Sequence, residues 1–156
     1  MKSKVNEIFK HFLDNKISNV LLSISSGVDS IVLLHILLKV KEINNKLNIS
    51  LFHTNYNFHI KSNDAESLLR QLSSKFNLKL HLLNVKLSSK NFEHNARKIR
   101  YNEIVRLANE YNYDRVLTAH NYNDQLETLI MKDNDNANWI SRIGIREKNQ
   151  FLYRPI

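Results

Sequence analysis

The stretch from residue 20 to residue 38 constrains the chain most. Val20, Leu21, Leu22 and Ile24 make an apolar run of strand length. A loop of small residues follows, Ser25-Ser26-Gly27-Val28-Asp29-Ser30, and an apolar helix is predicted to begin near Ile31. A strand that enters a helix through Ser and Gly leaves backbone N–H groups and hydroxyls free to face an anion, with the positive end of the helix dipole behind them. Such a loop holds phosphate without a cationic side chain. The chain has only two glycines, Gly27 and Gly144, so finding one here marks a tight turn or a close backbone approach. The residues leave a second reading open, in which Asp29 or Ser30 simply caps the helix.

The rest of the chain repeats the alternation. Val5, Ile8, Phe9, Phe12 and Leu13 predict an amphipathic helix over about 4–14, and Ile31, Leu34, His35, Leu38 and Ile43 continue the helix after the loop. A second strand runs from Ile49 to Phe52 and ends at His53. A helix over 64–76, with Ala65, Leu68, Leu69 and Leu72 on one face, leads to a strand over 78–85. Residues 92–111 read as a long helix with Ala96, Ile99, Ile104, Leu107 and Ala108 inward. A strand over 115–118, a helix over 124–131, a polar loop over 133–138 and a short strand over 151–153 complete the chain. Strands joined by connections of helical length imply right-handed crossovers and an α/β fold, a doubly wound parallel sheet covered on both faces. Ligands bind such sheets outside the carboxyl ends of the strands. Ser25, His53 and His120 all fall at such ends.

Length and composition narrow the function classes. With 156 residues, 42% of them hydrophobic, the chain is expected to form one domain over 1–156, with an N-terminal helix within 1–19 and the strand and loop at 20–30. It contains no cysteine, which removes disulfides, cysteine zinc sites and thiol nucleophiles. The start, MKSKVNEIFKHFLDNK, lacks the apolar run of a signal peptide, and Glu7 and Asp14 without an arginine argue against a transit peptide. No run reaches membrane-spanning length, so a cytoplasmic protein without a membrane partner is expected. The net charge of +8 and pI near 9.7 favour a polyanionic partner, although Lys and Asn abundance also follows from biased nucleotide composition. His11, His35, His59, His81 and His94 show no metal-ligand spacing.

Two further stretches carry chemistry. Leu117 to Thr128 reads as a strand entering a helix that opens with Asp124 and Glu127, three apart and therefore on one face. That pair suits Mg²⁺ or an ammonium group, or merely an acid-stabilised helix N-terminus. On the long helix Arg97 and Arg100 are likewise three apart, placed for a phosphate, for RNA, or for a solvated surface.

Ser25 to Ser30 resembles the SGGxDS signature of the PP-loop ATP pyrophosphatases, with Ser26 standing where that family has its first glycine. A serine there would have to adopt a backbone angle that glycine takes freely. Other segments are similar to the tRNA(Ile)-lysidine synthetases. His120 to Thr128 resembles HHxxDQxET, with Asn121 and Asn123 departing. Glu93 to Tyr101 resembles ExxARxxRY, and His53 to Asn57 resembles HxNHG, with Tyr56 and Asn57 departing. Tyr153 to Ile156 resembles the closing RPLL of the catalytic domain, whereas Lys132 to Trp139 replaces the glycine-rich RGSG-like segment.

The resemblance implies a two-step ligation. ATP adenylates the C2 oxygen of the wobble cytidine in an isoleucine tRNA with a CAU anticodon, and free L-lysine displaces AMP to give lysidine. By the same resemblance, Ser25, Ser26, Gly27, Val28, Asp29, Ser30, His53 and Asn55 bind ATP, and Asp29 holds Mg²⁺ or phosphate. Arg97 and Arg100 contact phosphate or tRNA, Asp124 and Glu127 take the lysine ammonium groups, and Asp29, Arg100 and His120 serve catalysis. His120 reads equally as a structural histidine. The tRNA-binding domains with which many members continue are not expected within these 156 residues, so a truncated or noncatalytic nucleotide- or RNA-binding domain stays open as the alternative. So does a homodimer.

Overall fold

The computed structural model describes residues 1–57, 61–87, 90–119 and the backbone of 152–153. Helix α1 (Lys2–Asp14) precedes strand β1 (Asn19–Ser23). Then come α2 (Val28–Ile43), β2 (Asn48–Asn55), α3 (Ser62–Phe76), β3 (Lys79–Asn84), α4 (Phe92–Glu110), β4 (Arg115–Thr118) and β5 (Leu152–Tyr153). The sheet order is β3-β2-β1-β4-β5, and every pairing is parallel. From β1 the chain steps outward to β2 and β3, then crosses back to lay β4 on the other side of β1. That reversal opens a crevice beyond the carboxyl ends of β1 and β4.

Strand side chains alternate between the two faces, and both faces are covered. Val20, Leu22 and Ile24 of the β1 stretch join Ile49 and Leu51 of β2 beneath α1, α2 and Leu69 of α3. On the opposite face Leu21, Phe52 and Val116 pack against Tyr101, Ile104, Leu107 and Ala108 of α4. Helix α1 buries Val5, Ile8 and Phe12 along one stripe. Helix α2 packs against α1 and shares its core with the sheet, and its buried residues Ser30, Leu33, Leu34, Ile36, Leu37 and Val40 cover a wider stripe than that of α1. At the predicted inward positions, Leu68 of α3 is instead 40% exposed and Ile99 of α4 is half-buried.

Helices α1, α3 and α4 stop without glycine. Each is followed by a left-handed residue, Lys16 (φ 53°), Asn77 (φ 51°) or Asn112 (φ 52°). The next residue then donates its N–H back to a carbonyl of the last turn: Ile17 to Phe12 at 2.8 Å, Leu78 to Ser73 at 2.9 Å and Tyr113 to Ala108 at 3.1 Å. Ile17, Leu78 and Tyr113 are all buried. This is the Schellman arrangement, in which an apolar residue seals the end that a left-handed residue turns. Each seal delivers the chain to the start of a strand. At the starts of β1 and β4, Asp114 Oδ2 accepts N–H groups from Ser18 and Asn19, both at 2.8 Å.

Several boundaries differ from the sequence expectation. Helix α2 begins at Val28, not near Ile31, because the Gly27 carbonyl already accepts the Ile31 N–H at 3.2 Å and draws Val28, Asp29 and Ser30 into the first turn. Strand β2 runs two residues beyond His53, to Asn55. The expected final strand is present at Leu152–Tyr153, paired with β4. The helix predicted over 124–131 and the polar loop over 133–138 lie outside the described residues.

Candidate functional site

The loop after β1 is built to face an anion. Strand β1 ends at Ser23, and the Ile24 N–H still bonds the Phe52 carbonyl of β2 at 2.9 Å. The chain then turns through Ser25 and Ser26 into Gly27, the N-cap of α2, which supplies no side-chain cap. Neither Asp29 nor Ser30 caps the helix. The first amides of α2 therefore have no intrahelical acceptor and lie at the positive end of the helix dipole. Ser30 is buried and its Oγ lies 3.0 Å from Ser25 Oγ, closing the loop on itself, while Ser25 Oγ also accepts the Gly27 N–H at 3.2 Å.

What glycine offers here is space rather than backbone freedom. Gly27 has φ −68° and ψ 152°, open to any residue. A Cβ at this position, however, would sit 3.2 Å from Ser25 Oγ. Ser26 is not among the non-glycine residues with positive φ, so its replacement of the usual glycine introduces no left-handed strain. A second departure is absorbed in the same manner. Asn57, at the glycine of the HxNHG resemblance, has φ 52°, a conformation asparagine tolerates better than most residues. Its N–H is taken by Asn55 Oδ1 at 2.9 Å.

Two adjoining cavities open beside this loop and share His53, Thr54 and Tyr56. One, about 150 Å³, is lined by Ser23, Ile24, Ser25, Ser30, Arg100 and Ala119 in addition to the shared residues. The other, about 230 Å³, reaches from Ser26 and Asn55 to Lys61, Ser62 and Ala65 at the start of α3. Either alone is smaller than the roughly 300 Å³ at which small-molecule sites begin. Through the shared residues they adjoin as a trough outside the ends of β1, β2 and β4.

The predicted site residues divide by placement. Ser25, Ser30, His53 and Arg100 share the first cavity, and Ser26, His53 and Asn55 share the second. His53 is not at a strand tip: it is buried within β2, and its Nδ1 donates to the Ile24 carbonyl at 3.0 Å. That bond fixes the ring and leaves Nε2 as an acceptor in the neutral form. Asn55 is buried, and its Nδ2 donates to Glu66 Oε2 at 3.0 Å. Bonds from Asn55 and from Arg70 hold the Glu66 carboxyl below the usual range. Val28 and Asp29 are exposed in the first turn of α2, outside both linings. Arg97 is half-buried one turn before Arg100 and lines neither cavity. His120, Asp124 and Glu127 lie outside the described residues.

Reading apolar periodicity did not single out Thr54 or the start of α3. Thr54 is buried with an unpartnered Oγ1, and Lys61 and Ser62 wall the second cavity. A signal existed for the first of these. His53-Thr54-Asn55-Tyr56 is a polar continuation of an apolar strand, and β-alternation sends Thr54 and Tyr56 to the face opposite His53 and Asn55. Among the described residues no group of three His, Asp or Glu is placed to hold a metal, and no helix is long and apolar enough to cross a membrane.

Comparison with known proteins agrees with this geometry. The PP-loop domain family matches residues 1–156. The chain belongs to the PP-loop domain family. Curated relatives of this PP-loop domain include the tRNA(Ile)-lysidine synthase of Mycoplasma mycoides subsp. mycoides SC, 33% identical over 150 residues that cover 91% of this chain and 36% of that protein. The tRNA(Ile)-lysidine synthase of Clostridium perfringens is 32% identical over 169 residues, covering 100% of this chain and 35% of that protein. The PP-loop chain thus spans about a third of the length of the curated relatives it matches. Among solved structures, the U34-tRNA thiolase NcsA from Methanococcus maripaludis, determined with its 4Fe-4S cluster, superposes with a TM-score of 0.67 at 16% identity. That match covers 99% of this chain and 57% of the thiolase. It supports the fold alone, and this chain contains no cysteine.

Proposed function

We propose that this PP-loop domain is the ATP-using catalytic part of a tRNA(Ile)-lysidine synthase, which ligates lysine to C2 of the wobble cytidine through an adenylated tRNA. One observation carries the reading. The N-terminus of α2 is uncapped and faces a trough at the reversal point of a parallel sheet, in a chain about a third identical to proteins of that name.

In this reading the amides at the start of α2, with the Ser25 and Ser30 hydroxyls, take the β and γ phosphates, and Arg100 lies across the first cavity from them. Positive groups fixed in advance at the α-phosphate stabilise charge that develops as pyrophosphate leaves. Asp29, exposed at the mouth of the loop, fits a Mg²⁺ held chiefly by phosphate oxygens, since Mg²⁺ is commonly bound by one or two carboxylates plus substrate phosphates. The second cavity, ending at Lys61 and Ser62, has room for the nucleoside. Asp124 and Glu127 are assigned to lysine, His120 to phosphate contact or proton transfer, and Arg97 with the net positive charge to the tRNA. Holding lysine beside the activated carbon makes its attack effectively unimolecular.

The test is ATP-dependent incorporation of radiolabelled lysine into an isoleucine tRNA with a CAU anticodon, with pyrophosphate release followed in parallel. Lysine incorporation by the wild-type chain, and loss of tRNA-dependent pyrophosphate release in Asp29→Ala, are the expected results. Unchanged pyrophosphate release in Asp29→Ala removes the metal and phosphate role of that residue. A wild-type chain that binds ATP and tRNA but never releases pyrophosphate is a binding domain rather than a ligase.

A further inference from the structure

Helix α4 is held to the sheet in two different ways along its length. Its later turns are packed by Tyr101, Ile104, Leu107 and Ala108 against Leu21, Phe52 and Val116. Residues 92–100 contribute nothing to that cluster. Of this stretch Arg100 lines the first cavity, together with Thr54, and among the described residues its Nε is buried without a hydrogen-bond partner. Asn91 precedes the helix at φ 53° and makes no side-chain cap.

Among the described residues, Tyr56 ties this stretch to the sheet. Tyr56, just past the end of β2, donates its hydroxyl to the Ala96 carbonyl at 3.1 Å and sets its ring edge-on to Phe92, with centroids 5.7 Å apart and planes at 74°. The Ala96 carbonyl is also the helical acceptor for the Arg100 N–H, four residues on. The tyrosine therefore grips the turn that carries Arg100. Tyr56 and Arg100 also line the same cavity. Burial raises the Tyr56 pKa while the Arg100 charge, the nearby Thr54 hydroxyl, which falls short of a well-formed hydrogen bond, and the Arg97 charge oppose that rise, which keeps the Tyr56 hydroxyl a neutral donor near pH 7.

We propose that Tyr56 is a positioning residue: through the Ala96 carbonyl it fixes the first turns of α4 so that Arg100 points into the cavity beside the phosphate-facing loop. The proposal rests on the nucleotide reading only for what Arg100 meets there. The mechanical link is independent of it. Tyr56 stands where the resembling HxNHG segment has histidine, so this strut belongs to the present chain rather than to the motif.

Two measurements on the whole chain test it. Amide hydrogen exchange in Tyr56→Phe, which removes one hydroxyl and keeps the ring, is expected to quicken several-fold at residues 97–100 and to stay unchanged at 104–110. Equal protection in both proteins overturns the link. The second measurement is equilibrium ATP binding by wild type, Tyr56→Phe, Arg100→Ala and the double variant. Tyr56→Phe is expected to weaken ATP about twofold to twelvefold, the span of one modest hydrogen bond. The double variant is expected to bind within about twofold of Arg100→Ala alone, because a residue acting through another adds nothing once that other is gone. Multiplied losses in the double variant overturn the positioning role. A wild-type chain that fails to bind ATP refutes the nucleotide reading instead, and the exchange experiment then decides the link.

Discussion

Replacing Gly27 by alanine separates two reasons for a glycine in the phosphate-facing loop. The backbone at φ −68° and ψ 152° suits alanine, so conformational freedom alone makes Gly27→Ala stabilising by about 0.4–1 kcal/mol through the unfolded chain. The added Cβ, however, meets Ser25 Oγ at 3.2 Å. If that oxygen yields, the bonds it makes with the Gly27 N–H at 3.2 Å and with Ser30 Oγ at 3.0 Å are both strained, and each is worth about 0.5–1.5 kcal/mol. With the entropic gain subtracted, Gly27→Ala is expected to destabilise by roughly 0–2 kcal/mol. The decisive comparison uses Ser25→Ala as the background, where no Oγ remains to collide. There Gly27→Ala should become stabilising by about 0.4–1 kcal/mol. Urea denaturation of the wild type, both single variants and the double variant measures the coupling. A Gly27→Ala penalty of the same size with and without the Ser25 hydroxyl refutes the steric account.

Two other outcomes follow from the described geometry. The Glu66 carboxyl is held below its ordinary range by Asn55 and then Arg70, so the stability it contributes is present above the unfolded carboxylate pKa and is lost as pH falls through the lower folded value. Melting temperatures of wild type and Glu66→Gln should therefore differ at pH 7 and converge on acidification below about pH 4.5, and a gap that widens in acid contradicts this sign. At the end of α3, Asn77→Ala forces a β-carbon residue without asparagine's local hydrogen bonding into φ 51° and should cost about 1 kcal/mol, whereas Asn77→Gly should be neutral or stabilising; urea midpoints decide between them.

Much of the architecture was legible because parallel strands buried on both faces are continuous apolar runs. Val20 to Leu22 and Val116 to Leu117 announce themselves in that manner, as does Ile49 to Phe52 with Ser50 its one polar residue. Boundaries were less legible where polar residues do structural work. The chain ends three helices on Lys16, Asn77 and Asn112, positions at which a search for glycine finds nothing. The buried Ile17, Leu78 and Tyr113 that seal those ends also look like the first residues of the next strand. Strand β2 outran its apolar run because His53, Thr54 and Asn55 are buried although polar. The Ser25 to Ser30 loop and Arg100 were found by motif. The walls contributed by Thr54, Lys61 and Ser62 came only with the fold, since they stand on separate elements.

The site and the core are successive levels of the same sheet. On the α4 face, Leu21, Phe52 and Val116 form an apolar level. One step further along each strand on that face the side chains are Ser23, Thr54 and Thr118, all buried, with Ser23 and Thr118 in direct register. The covering helix changes with them, from Tyr101 and Ile104 over the core to Ala96 and Arg100 over the cavity. Among the described residues, Thr54 Oγ1, Thr118 Oγ1 and Arg100 Nε are buried without well-formed hydrogen bonds, which costs about 1–3 kcal/mol for each buried group. The fully buried Leu21, Phe52, Ile104 and Leu107, at about 1.5–3 kcal/mol per large apolar side chain, offset that cost one level below. Thr54 and Arg100 line the first cavity, so a ligand whose polar atoms reach them there recovers their share of the deficit on binding. The arrangement therefore places binding energy where the apolar core stops, at the carboxyl end of the sheet and directly beside the uncapped start of α2.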